Sequence, residues 1–109
     1  MKNTILAAAT VLLASPAFAA GVPEEVNNAL GIHAASTCIY YRGMVDTRMT
    51  PAENMVVAKA NGVSKEVLFR PDVISAGTLL GYELSDSCSG YPEENLPRVW
   101  EIIRPFAVD

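Results

Sequence analysis

Apolar positions recur along this chain at helical spacing, in short runs punctuated by proline, glycine and serine. The cleanest run covers residues 50–61. Thr50-Pro51-Ala52-Glu53 combines the threonine and glutamate of a capping box with proline at the first helical position. Ala52, Met55, Val56 and Ala60 follow at i, i+3, i+4 and i+8, and Asn61-Gly62 supplies the stop.

On either side the pattern predicts further helices. Residues 21–30 carry Pro23 as a helix start, Glu24 and Glu25 in the first turn and Gly31 as a stop. A second helix opens near Ser36 or Thr37 and runs to about Thr47, with Ala34, Cys38, Tyr41 and Val45 on one face and Gly43 weakening it. Ser64 caps one turn through Leu68, which Arg70-Pro71 ends. From Ser75 the residues Ala76, Leu79, Leu80 and Leu84 share a face, Cys88 lies one turn beyond, and Ser89-Gly90 closes the segment. The last helix begins near Asn95, where Leu96, Val99, Trp100 and Ile103 fit the period and Pro105 ends it; Trp100 is read as core. The sum is an all-α domain of four or five short helices. A small α+β domain is the alternative, with residues 39–41 or 67–69 as strands.

The start of the chain reads differently. Lys2 gives a positive start, residues 5–14 are apolar except for Thr10, and Ala17-Phe18-Ala19 places small residues at −3 and −1. This is the order of a cleavable secretory signal over residues 1–19, leaving residues 20–109 as one domain. The apolar run falls short of the roughly 20 residues that span a bilayer, so no membrane insertion is expected after cleavage. The alanine-rich style points to a bacterial periplasm.

That address changes how the cysteines are read. Cys38 and Cys88 are the only two, both follow the leader, and an oxidising compartment makes them a disulfide. A metal would need further ligands, and His33 is the only histidine. Loss of Lys2 with the leader leaves seven basic side chains against twelve acidic ones, a net charge of about −5. The basic residues are scattered singly, which argues against nucleic acid or an anionic membrane surface as partner.

No catalytic, cofactor or metal motif emerges, and the chain is read as a non-enzyme. His33 sits beside no available nucleophile and is taken as an exposed or capping residue. Glu93, Glu94 and Asp86 are read as helix-dipole partners rather than an acid–base pair. Tyr40 and Tyr41 diverge by about 100° on a helix, so one of them reaches the surface and is the candidate partner contact.

Thr37-Cys38 early, Cys88 some fifty residues later, the stretch from Asp72-Val73-Ile74 to Cys88, and Val99-Trp100-x-x-Ile103 near the end together form a layout. It resembles the HdeA/HdeB acid-stress chaperones of the bacterial periplasm and their HdeA-like relatives. The resemblance implies a small helical fold held by one disulfide, and a homodimer that comes apart in acid to expose apolar surface to unfolded client proteins. Below about pH 3 the carboxylates neutralise and roughly +8 remains, enough for self-repulsion to loosen a small core. The chain departs from that family in having only Lys59 and Lys65 after the leader, and no charged tail. A second resemblance is carried by Cys38-x-x-Tyr41-x-Gly43-x-x-Asp46. It is similar to the opening of helical periplasmic immunity proteins against amidase toxins, with the glycine and aspartate one place out of step. This implies an inhibitor that binds and blocks a cognate secreted enzyme.

Overall fold

The structure, a computed structural model, describes residues 21–108; the expected leader lies outside the described residues. Five α-helices follow in order: α1 (Glu24–Tyr41), α2 (Pro51–Ala60), α3 (Lys65–Leu68), α4 (Pro71–Glu83) and α5 (Leu96–Ile103). Short 3-10 turns precede α5 (Glu93–Asn95) and follow it (Arg104–Phe106), and no strand occurs among the described residues. The domain is all-α, and the stretches 39–41 and 67–69 belong to helices and their ends rather than to strands.

Helix α1 joins what the sequence divides in two. Gly31 is buried mid-helix, flanked by Leu30 and Ile32, both buried almost completely. Their packing offsets the roughly 1 kcal/mol that a helical glycine costs relative to alanine. A helix apolar on most sides belongs at the centre of a bundle, and α2, α3 and α4 all pack against this one, while α5 packs on α4. It ends at Tyr41, two residues before Gly43, and not at Thr47. Gly43 has φ +74°, its N–H donates to the Tyr40 carbonyl, and the Met44 N–H donates to the Ile39 carbonyl. That is a Schellman ending, and the left-handed conformation it requires selects glycine.

Helix α2 forms as its capping box dictates: the Thr50 hydroxyl accepts from the Glu53 N–H, and the Glu53 carboxylate accepts from the Thr50 N–H. Its end repeats the ending of α1, with Gly62 at φ +70° and Val63 buried behind it. Ser64 then caps α3 through the Val67 N–H, which sets Leu68 wholly in the core.

Helix α4 starts four residues before Ser75. Arg70-Pro71 opens this helix instead of only closing the last one: Pro71 sits in its first turn, and Arg70 takes the extended backbone that a following proline imposes. Gly77 and Gly81 lie one turn apart on the face that meets α1, the most extensive helix pair among the described residues. A Cβ on Gly81 would stand 2.6 Å from the Thr37 Cβ and 2.8 Å from the Ala34 carbonyl oxygen, and one on Gly77 would collide with the His33 Cβ. The two helices approach closely because neither glycine carries a side chain.

Cys88 is not on a continuation of α4. The helix stops at Glu83, where the Asn95 amide caps the Glu83 carbonyl and the Arg42 guanidinium donates to the Leu84 carbonyl at 3.0 Å. Cys88 instead occupies a turn at φ +57°, and its sulfur bonds that of Cys38 with the Cα atoms 5.9 Å apart. In α5 the buried stripe is Val99, Ile102 and Ile103, one position round from the expected one. Trp100 therefore lies at its edge, 37% exposed, rather than in the core.

Candidate functional site

One face of the α1–α4 pair carries a half-open cavity of about 330 Å³. Its floor follows from the close helix crossing. His33 and Thr37 of α1 face the glycines of α4, while Tyr40 and Tyr41 continue the same surface to the helix end. Helix α4 contributes Ile74, Thr78 and Tyr82 at i, i+4 and i+8, and Phe69 fills in beneath. The loop after α1 and the first turn of α2 close the opposite wall with Arg48, Met49 and Asn54.

Both tyrosines singled out in the sequence reach the surface. Tyr41 is 58% exposed, and Tyr40 is partly covered because the Arg48 guanidinium lies 4.8 Å above its ring centre. Tyr41 meets Tyr82 edge to face at 5.0 Å, and Arg42 lies 5.3 Å from the Tyr41 ring centre. Arg42 also pairs with Asp86 at 3.1 Å and with the Leu84 carbonyl. The tyrosine rim is thus fastened to the turn that carries Cys88, and the disulfide fixes that turn to α1. Such ring–ring and cation–ring contacts hold aromatic side chains in place at a surface.

The polar groups of the cavity divide into satisfied and unsatisfied ones. His33 is a cap but not an exposed one: it is 7% exposed, and its Nε2 lies 2.7 Å from the carbonyl oxygen of Leu68, the last residue of α3. A carbonyl only accepts, so Nε2 carries the proton and the ring spans from α1 to the end of α3. Burial holds its pKa below the ordinary histidine value, partly opposed by the bond to Leu68. Ser36 and Thr78 donate their hydroxyl protons to carbonyls of their own helices, those of His33 and Ile74. The Asn54 Oδ1, by contrast, is buried with no hydrogen-bond partner.

Charge is distributed unevenly. None of the residues lining the cavity is an aspartate or glutamate, although the chain is acidic overall. Arg48 has no carboxylate within salt-bridge distance among the described residues, whereas Arg42, Arg70 and Arg98 each have one. Glu93 and Glu94 stand in the 3-10 turn before α5, away from this face.

The sequence pointed to Tyr40 and Tyr41 but not to Tyr82, Arg48 or Asn54. The i, i+4, i+8 spacing of Ile74, Thr78 and Tyr82 was the signal available, and it becomes visible once α4 is started at Pro71. Among the described residues no group of three or more His, Cys, Asp or Glu side chains could hold a metal, and no helix is long and apolar enough to cross a membrane. Comparison with protein-family models, with characterised proteins and with solved structures finds no match.

Proposed function

We propose that this chain is an exported protein-binding protein that acts in its folded, disulfide-closed state through the tyrosine-rimmed face of α1 and α4. One observation carries the reading: Tyr40, Tyr41 and Tyr82 stand exposed around a preformed cavity, and two of them are stacked with arginines. Tyrosine and arginine are the side chains enriched at the energetic centres of protein interfaces. Rings already fixed by their neighbours lose little freedom on binding. Chemistry on a substrate is disfavoured, because His33 is engaged with a backbone carbonyl and the Ser36 and Thr78 hydroxyls with their own helices. A folded binder of this kind is an inhibitor or immunity protein for a secreted enzyme.

The HdeA-like acid chaperone is the second reading, and His33 is what favours it. The imidazole is buried at the junction of α1, α3 and α4, so acid would place a charge in the core there, and loosening would uncover the apolar face of α1. One experiment separates the two. Oligomeric state, hydrophobic-dye binding and suppression of client aggregation are followed from about pH 7 to about pH 2. A folded binder stays compact and protects nothing in acid. An acid chaperone takes up dye and keeps the client soluble only after acidification.

A further inference from the structure

The cavity wall opposite α4 is held in place by few side chains, and one of them is open to chemical modification. Residues 40–50 include no buried position. In the loop that joins α1 to α2, the apolar side chains packed against the core are Val45 and Met49. Met49 also lines the cavity. Its neighbours in sequence are Arg48, whose guanidinium lies over the Tyr40 ring, and Thr50, which caps α2. The Met49 side chain is thus a pin that sets the loop, and Arg48 with it, against α1.

A mild oxidant converts the apolar methionine side chain into a polar sulfoxide. Of the four methionines, Met1 lies in the expected leader and the other three fall between residues 44 and 55. Cys38 and Cys88 are already joined and buried, and no free cysteine occurs among the described residues. Oxidation at sulfur in the exported domain therefore falls on methionine. Met44 is 41% exposed, so an added oxygen there stays in water. Met49 is half-buried and is reached from the open side of the cavity. Its sulfoxide would place a strong hydrogen-bond acceptor in an apolar contact, which disfavours that contact.

We propose that Met49 is an oxidation site whose sulfoxide releases this loop, removes one wall of the cavity and so weakens binding at the tyrosine face. The oxidant is hydrogen peroxide or another hydroperoxide. The thioether sulfur donates an electron pair to one peroxide oxygen; the O–O bond breaks, the S–O bond forms and water leaves. Release of the loop stands on the geometry alone, and only the loss of binding rests on the protein-binding reading above.

The test treats the purified, disulfide-bonded protein with hydrogen peroxide and locates added oxygen by peptide mass spectrometry. Proton spectra follow the Arg48 side chain, whose signals the Tyr40 ring displaces. Sulfoxide at Met49 is expected to return them to ordinary arginine positions. In peroxide-treated cells, partner cross-linking from a photoreactive side chain in place of Tyr41 should fall at least about fivefold, the loss of part of one buried side chain's packing. Met49→Leu keeps an apolar contact of similar volume and should hold both readouts through the same treatment. Met49→Gln should reproduce the oxidised state without oxidant. Met44→Leu and Met55→Leu should respond as the unaltered protein does.

Oxygen confined to Met44, or a Met49 sulfoxide that leaves the Arg48 signals unmoved, overturns the proposal. So does an undiminished response in Met49→Leu, or full cross-linking once the loop is released. If the loop is released but no partner cross-links even without oxidant, the oxidation site stands and the protein-binding reading fails.

Discussion

The His33 ring reaches across the core to the Leu68 carbonyl, 35 residues further along the chain, and this bond joins the central helix to the end of α3. It makes the only histidine a structural group with a built-in pH dependence. In the unfolded chain the imidazole takes up a proton near pH 6.5, while burial holds the folded-state pKa below that value. Below about pH 6.5 the unfolded state therefore binds more protons than the folded state, and stability falls as pH drops. Urea unfolding at about pH 7.5 and about pH 5 should show a lower midpoint at the acid value. His33→Gln, which keeps an N–H donor, should flatten that difference.

A second window opens at lower pH. Asp72 is held below the usual carboxylate range by the Arg70 guanidinium, and Glu25 by its hydrogen bonds with Ser64. Their contributions are present above the ordinary carboxyl pKa of about 4 and are lost as pH falls from there through the lowered folded-state values. Both groups are exposed, so the effect of Asp72→Asn at neutral pH should be small, and it should shrink further as pH falls below about 4. Melting curves of the two proteins over that range check this.

Close contact between α1 and α4 depends on the absence of a side chain at Gly81. Gly81→Ala would press a methyl group against Thr37 and the Ala34 carbonyl, and should cost about 1–3 kcal/mol. Gly90 meets nothing within 4 Å and has no positive φ, so Gly90→Ala should be near neutral, within about 0.5 kcal/mol. Denaturant unfolding of the pair measures the difference.

The disulfide spans a separation of 50 residues and also holds the turn to which Arg42 ties the tyrosine rim. Removing the link should cost roughly 4 kcal/mol by the loop-entropy estimate. A Cys38→Ala, Cys88→Ala protein should melt at a lower temperature and lose order at Tyr41 and Tyr82 before the rest of the fold. Residue-resolved hydrogen exchange would show this.

Local signals in the chain predicted local structure well. The capping box at Thr50, the serine cap at Ser64 and the proline-bounded last helix all stand where the residues place them. Thr50→Ala should accordingly cost about 1 kcal/mol, read in the same unfolding assay. What the sequence hid depends on long-range packing. Gly31 looks like a stop because its tertiary neighbours are invisible from the sequence; Gly43 is a local ending, masked by Val45 continuing the helical spacing beyond it. His33 looks exposed until Gly77 allows α4 to cover it. Only two of the three rim tyrosines were legible, since Tyr82 comes from a helix whose start was displaced, and Arg48 and Asn54 join the site through the fold of the loop and the packing of α2.

Site-specific photo-cross-linking in the native cell tests the central claim most directly. A photoreactive phenylalanine analogue replaces Tyr41 or Tyr82 on the proposed binding face, and Val56, 66% exposed and outside the cavity, as control. At neutral pH the two tyrosine positions should yield the same discrete protein adduct and Val56 none. Absence of an adduct at Tyr41 and Tyr82, or equal cross-linking from Val56, would contradict the account.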